Sequence, residues 1–104
     1  MDPFQLAEDA VLDIDAIWLY LLEKQGVETA DRIVTELFKA FYKLAEVPNS
    51  GHRRADLTGR DVLFYTIFSY LVIYQPGSNP LQILGVLHGK RNVARILTQR
   101  FDPS

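Results

Sequence analysis

Apolar positions recur with a helical period through the first half of the chain, and the period shortens to that of strands in the second. From Leu6 to Gln25 they fall at Ala10, Val11, Ile14, Ile17, Trp18, Leu21 and Leu22. That i, i+3, i+4, i+7 spacing puts them on one helical face. Glu8, Asp9 and Asp13 occupy the early turns, where the positive end of the helix dipole favours acids. Lys24 sits near the end and Gly26 follows as the stop. A second helical run carries Ala30, Ile33, Val34, Leu37, Phe38, Phe41, Leu44 and Ala45. It begins at Glu28 or Thr29 and ends before Pro48, because Val47 precedes a proline and is pushed out of the helical region. The link around Gly26 and Val27 is short, so the two helices are expected to pack as an antiparallel hairpin.

Asn49 to Arg60 is polar, with Gly51 and Gly59, and reads as a loop. Val62 to Phe68 is β-branched and aromatic, as a strand prefers, and Leu71 to Tyr74 is a second such run. Ser69 and Tyr70 lie between them as the predicted hairpin turn. Gln75 to Pro80 is a turn that no central strand tolerates. Leu81 to Leu87 makes a third strand, and Val93 to Arg100 a short terminal helix stopped before Pro103. Three strands with short connections form an antiparallel meander. The order predicts an α+β domain, a helical hairpin packed on one face of an antiparallel sheet of three to four strands. Residues 3–6 are too short a stretch for periodicity to class them.

The 104 residues leave room for one domain, 1–104, and suffice for a core without disulfides or metals. The chain has no cysteine, which excludes thiolate metal sites, thiol nucleophiles and iron–sulfur clusters. It has two histidines, His52 and His88, far apart. No apolar run approaches the ~18 residues of a spanning helix, and the start of the chain lacks the basic region of a signal peptide. A cytoplasmic protein with no membrane partner is expected. The net charge of −2 hides an asymmetry: residues 1–50 hold ten acids and four bases, net −6, and residues 51–104 three acids and seven bases, net +4. The second half therefore suits an acidic partner, while the total is far from the strongly basic balance of a general nucleic-acid binder.

Candidate chemistry is sparse. Asp9 and Asp13 stand one turn apart, but carboxylates there are ordinary dipole partners, and no histidine spacing supports a metal. There is no Gly-x-Ser-x-Gly and no phosphate-binding glycine loop. Two cationic clusters remain: Arg53, Arg54 and Arg60 before the strands, and His88, Lys90 and Arg91 after the last. Such clusters bind phosphate, act on RNA or grip an acidic protein. Phe64, Tyr65, Phe68, Tyr70 and Tyr74 could stack bases, but aromatics on strands are expected in the core.

The ordered residues resemble the ParE/RelE superfamily of bacterial type II toxins, in its ParE-like, plasmid-stabilisation branch. Phe4-Gln5-Leu6 followed by Ala10, Asp13, Ile14, Ile17, Trp18 and Tyr20 resembles the family's opening strand and first helix. Leu37, Phe41, Leu44, Pro48 and Gly51 resemble its second helix and exit. Arg54-x-Asp56-Leu57 resembles the lead into its sheet, Tyr70-Leu71-Val72-Ile73-Tyr74 its central strand, and Leu84-x-Val86-Leu87-His88-Gly89-x-Arg91 its closing motif. The chain departs from the pattern at Asn92, where the family often has Asp; its last tyrosine is Tyr74, whereas the superfamily's mRNA-cutting toxins often have one near the C-terminus, which favours the ParE-like branch.

The resemblance implies a first strand at residues 3–6. It implies a toxin that arrests growth by binding DNA gyrase, without chemistry of its own and without cofactor or metal. Arg53, Arg54, Arg60, His88, Lys90 and Arg91 are the expected target-binding residues. It also implies a cognate antitoxin, forming a hetero-oligomer by laying an amphipathic segment along the hairpin and sheet, with Trp18, Leu22, Phe38, Tyr42 and Tyr74 as expected contacts. The alternative within the superfamily is a RelE-type, ribosome-dependent mRNA endonuclease, with His88 as general acid or base and Arg54, Arg60 and Arg91 stabilising the phosphorane. A folded, antitoxin-binding protein without toxicity is the third reading.

Overall fold

The computed structural model describes residues 2–103. Strand β1 (Phe4–Leu6) leads into helix α1 (Glu8–Gln25) and helix α2 (Val27–Glu46), and a 3-10 turn follows at Pro48–Ser50. Strands β2 (Leu63–Ile67), β3 (Tyr70–Gln75) and β4 (Leu81–His88) come next, then helix α3 (Val93–Phe101). The expected first strand exists, and it changes the sheet. The order is β1-β4-β3-β2, with β1 parallel to β4 and the other pairs antiparallel. The sheet is therefore mixed, where a purely antiparallel one was expected.

Element ends differ from the pattern for local reasons. Helix α1 starts two residues late because Leu6 belongs to β1, and the Ala7 N–H donates to the Ile83 carbonyl at 2.9 Å. Gly26 alone links the two helices. Its φ of +93° suits a residue without Cβ, and α2 starts at once at Val27. The β2–β3 turn is Phe68–Ser69, not Ser69–Tyr70, because Tyr70 pairs with Ile67.

Two cores sandwich the sheet. The hairpin side holds Ile14, Leu37, Phe41 and Leu44 against Leu63, Val72, Tyr74, Ile83 and Val86. The other side holds Val62, Phe64, Leu71, Ile73 and Leu87 under Val93 and Leu97 of α3. The terminal helix thus covers the face that the hairpin leaves bare. A register shift opposite Ile73 and Tyr74 leaves Leu84 as an extra residue of β4, pairing Ile73 with Gly85 and Tyr74 with Ile83. This bulge re-phases the strand, so Ile83 and Val86 face the hairpin while Leu84 and Leu87 face α3.

Tyr74 is fully buried. Its hydroxyl donates to the Pro48 carbonyl at 2.6 Å and accepts from the Gly51 N–H at 2.9 Å. It fastens the exit of α2 to the sheet. A Cβ on Gly51 would lie 2.6 Å from the Tyr74 hydroxyl and 2.8 Å from the Phe64 carbonyl oxygen, so only glycine fits there.

Candidate functional site

The organising polar contact is one the sequence did not reveal. Strand β1 pairs with β4 only as far as Ile83, so beyond it β4 is a free edge beside α1. The Val86 N–H on that edge donates to Asp13 Oδ2 at 2.9 Å. Arg100 reaches the same carboxylate from α3, Nη1 to Oδ2 at 2.8 Å and Nη2 to Oδ1 at 2.7 Å. Gly85 makes room for this: a Cβ there would meet Arg100 Nη1 at 3.0 Å and Asp13 Oδ2 at 3.2 Å. Hydrogen bonding to Asp13 holds the Arg100 guanidinium protonated beyond its ordinary range, against the opposing effect of burial. Asp9 also approaches, at 3.9 Å from Arg100 Nε. The two acids of α1 do converge, but on an arginine. Among the described residues no group of three His, Asp or Glu side chains is placed to hold a metal ion.

Beside this clamp an open groove of about 730 Å³ runs between the tip of the helical hairpin and the ends of β3 and β4. Buried and half-buried Ile17, Leu21, Ile33, Tyr70 and Val86 line it, with the exposed Tyr20, Arg32, Phe68, Lys90 and Arg91 and the half-buried His88. Its far wall is cross-linked. His88 pairs with Tyr70 across the ladder, and their rings meet edge-on at 5.5 Å. The Lys90 N–H donates to His88 Nδ1 at 3.1 Å. The Gly89 N–H donates to the Ser69 carbonyl at 2.8 Å, tying the β4–α3 loop to the β2–β3 turn.

The six expected target-binding residues divide. His88, Lys90 and Arg91 line the groove; Arg53, Arg54 and Arg60 do not. Arg53 is paired with Asp61, and Arg54 grips Asp56 through Nε and Nη2 at 2.9 and 2.8 Å. That bond holds the exposed Asp56 carboxyl below the usual carboxylate range. Arg60 donates to the Phe101 carbonyl at 2.8 Å and pairs with Asp102, pinning the end of α3. Arg32 is the cation that sequence reasoning missed. It lies far from the others in sequence, and only the packing of α2 brings it to the groove.

The expected antitoxin contacts also separate. Trp18 and Leu22 pack half-buried against Leu21, Ala30 and Ile33 at the hairpin tip, and Trp18 Nε1 donates to Asp31 at 2.9 Å. Phe38 and the exposed Tyr42 form a shallow shelf with Phe4 and Leu6. Tyr74 is a correction: wholly interior, it offers no surface to a partner. The stronger apolar surface lies elsewhere. Val11, Leu12, Leu19 and Tyr20 are all exposed on α1, with Leu12 58% and Leu19 56% accessible. These four lie on the outer side of α1 among the exposed acids Glu8, Asp15 and Glu23. The helical spacing puts Val11 on the core face, and it is 42% accessible instead, while 12, 19 and 20 fill the gaps between the core positions of the same helix.

Compared with known proteins, residues 4–93 match the family model described as ParE toxin of type II toxin-antitoxin system, parDE. The chain belongs to the ParE toxin family. Toxin ParE1 of Caulobacter vibrioides is 32% identical over 92 residues, spanning 88% of this chain and 94% of the relative. Toxin ParE3 of the same organism is 25% identical over 88 residues, spanning 85% and 87%. In a solved structure described as a chromosomal ParDE TA system from P. aeruginosa, a chain superposes with a TM-score of 0.70 at 22% identity, covering 82% of this chain and 92% of that one, a likeness of fold. In this ParE toxin the matched region includes Asp13 and the whole groove and ends where α3 begins. Arg100, which closes the clamp, lies beyond it. Among the described residues no helix is long and apolar enough to cross a membrane.

Proposed function

We propose that this ParE toxin arrests growth by poisoning DNA gyrase and is neutralised by a cognate antitoxin. The observation that carries the reading is the outer side of α1. A helix that already buries Ala10, Ile14 and Leu21 also exposes Val11, Leu12, Leu19 and Tyr20. Four large apolar side chains exposed on one helix are a protein-docking feature, and an amphipathic helix whose cations meet the interleaved Asp15 covers them best. The antitoxin is the partner proposed for it, extending over Trp18 and Leu22 at the hairpin tip and the Phe38–Tyr42 shelf. The net charge of +4 on residues 51–104 attracts acidic residues of the antitoxin and speeds association.

The endonuclease alternative needs His88 to work with Arg54, Arg60 and Arg91. Only Arg91 shares the groove with His88, and Arg54 and Arg60 are held by Asp56 and Asp102 elsewhere. A binding poison makes no such demand, which is why gyrase is preferred as the target.

The test is to induce the chain alone in bacteria and pulse-label DNA and protein synthesis. DNA synthesis should fall first, and purified gyrase should then accumulate cleaved DNA in the presence of the toxin. If protein synthesis falls first, the gyrase reading is wrong and His88→Ala becomes the variant to try. Arrest should be relieved by co-expressing the antitoxin, and Leu12→Asp with Leu19→Asp should abolish that relief while leaving the fold intact.

A further inference from the structure

The groove contains a feature that antitoxin docking leaves unexplained. Phe68 sits at the tip of the β2–β3 hairpin with φ +54° and 51% of its surface exposed. A bulky residue at positive φ is strained, and asparagine or glycine would serve the turn better. Here an aromatic ring is held out into solvent in spite of that strain. The Gly89–Ser69 hydrogen bond fixes the turn against the loop that carries Lys90 and Arg91. Neither of those two cations, nor Arg32, forms an ion pair among the described residues. The one acid lining the groove among the described residues, Asp13, is held by Arg100.

We infer that this corner of the groove is a DNA contact, in which Phe68 stacks on an unstacked base at a strand break while Lys90, Arg91 and Arg32 hold the flanking phosphates. An acidic peptide would use the cations but has no need of a strained ring at a hairpin tip. A base does, because every base offers a face to stack on. A break or gap is the fitting substrate, since one ring entering an intact duplex must first separate a base step. Three cations and one ring make a weak site. That agrees with a chain of net charge −2, which would meet DNA mainly where another protein presents it. The inference goes beyond the gyrase proposal and is tested without gyrase.

The experiment is an NMR titration of the isotope-labelled chain with a short duplex carrying a single-nucleotide gap, and with the intact duplex, at low and moderate salt. Shifts are expected at Phe68–Tyr70, His88–Arg91 and Arg32, with the gapped duplex bound more tightly. Phe68→Ala should weaken gapped-DNA binding about tenfold and erase the preference over intact DNA. Lys90→Gln with Arg91→Gln should weaken both and reduce the slope of log affinity against log salt by about two. Equal binding of the two duplexes, or an unchanged Phe68→Ala variant, overturns the inference. So does a polyglutamate peptide that shifts the same residues and displaces the DNA, which would make the corner a protein-binding surface.

Discussion

The Asp13–Arg100 clamp is the contact whose removal should matter most to the fold. The Asp13 side chain is 6% exposed and that of Arg100 21%. The carboxylate accepts three hydrogen bonds, two from Arg100 and one from the Val86 N–H. In Asp13→Ala the guanidinium stays inside without its counter-charge, and the Val86 N–H at the free edge of β4 loses its acceptor. Breaking a buried pair from one side costs about 3–5 kcal/mol. Against a total of about 5–15 kcal/mol for a domain of this size, that would lower Tm by roughly 15–30 °C. Arg100→Ala should cost less, about 2–3 kcal/mol, because Asp13 keeps the Val86 N–H and water can reach the vacated space. The double variant should cost about 2 kcal/mol less than the sum of the two singles, since neither partner is then left unpaired. Urea titration followed by Trp18 fluorescence and by far-ultraviolet circular dichroism measures all three. Additive single effects, each below about 1 kcal/mol, would show that the pair is a surface contact and that α3 is held by its apolar face alone.

Other changes test other parts of the fold. Gly51→Ala should destabilise by about 1–3 kcal/mol in urea titration, because the new methyl would overlap the Tyr74 hydroxyl and the Phe64 carbonyl. Tyr74→Phe should cost about 1–3 kcal/mol by leaving the Gly51 N–H and Pro48 carbonyl unpaired inside. Burial raises the Tyr74 phenol above its ordinary value, opposed by the Gly51 hydrogen bond, and burial raises Tyr70 likewise. A raised folded-state value means that the unfolded chain loses its proton first. The stability is therefore complete below about pH 10 and declines as pH rises above it. Tyr74→Phe should flatten that alkaline decline in Tm, and Tyr70→Phe should remove a further part. Phe68→Gly should leave stability unchanged or raise it by up to about 1 kcal/mol, because the strain at φ +54° is released as an exposed ring is lost; a loss above about 2 kcal/mol would mean that the ring packs structurally.

What the linear pattern determined is what depends on near neighbours. Helical spacing from Ala10 to Leu22 and from Ala30 to Ala45, the single glycine between them and the proline after them specify a helical hairpin, because periodicity and chain stiffness act over a few residues. The β-branched and aromatic runs specify the three meander strands for the same reason. The ordered motifs from Phe4 to Arg91 were enough for the family. Tertiary structure alone decided what depends on residues distant in sequence. It joined β1 to β4 in parallel, through a strand too short to show a period. It paired Asp13 with Arg100 across 87 positions, where the local pattern offered only a dipole partner. It buried Tyr74, because β3 alternates without a break and puts Tyr74 with Val72 on the side that the hairpin covers. It also divided the six expected target-binding residues: His88, Lys90 and Arg91 gather with Arg32 at the groove, while Arg53, Arg54 and Arg60 pair with neighbouring acids and fasten loop and tail. A run of cations in sequence specifies charge, and only packing determines which of them meet a carboxylate and which are left to meet a partner.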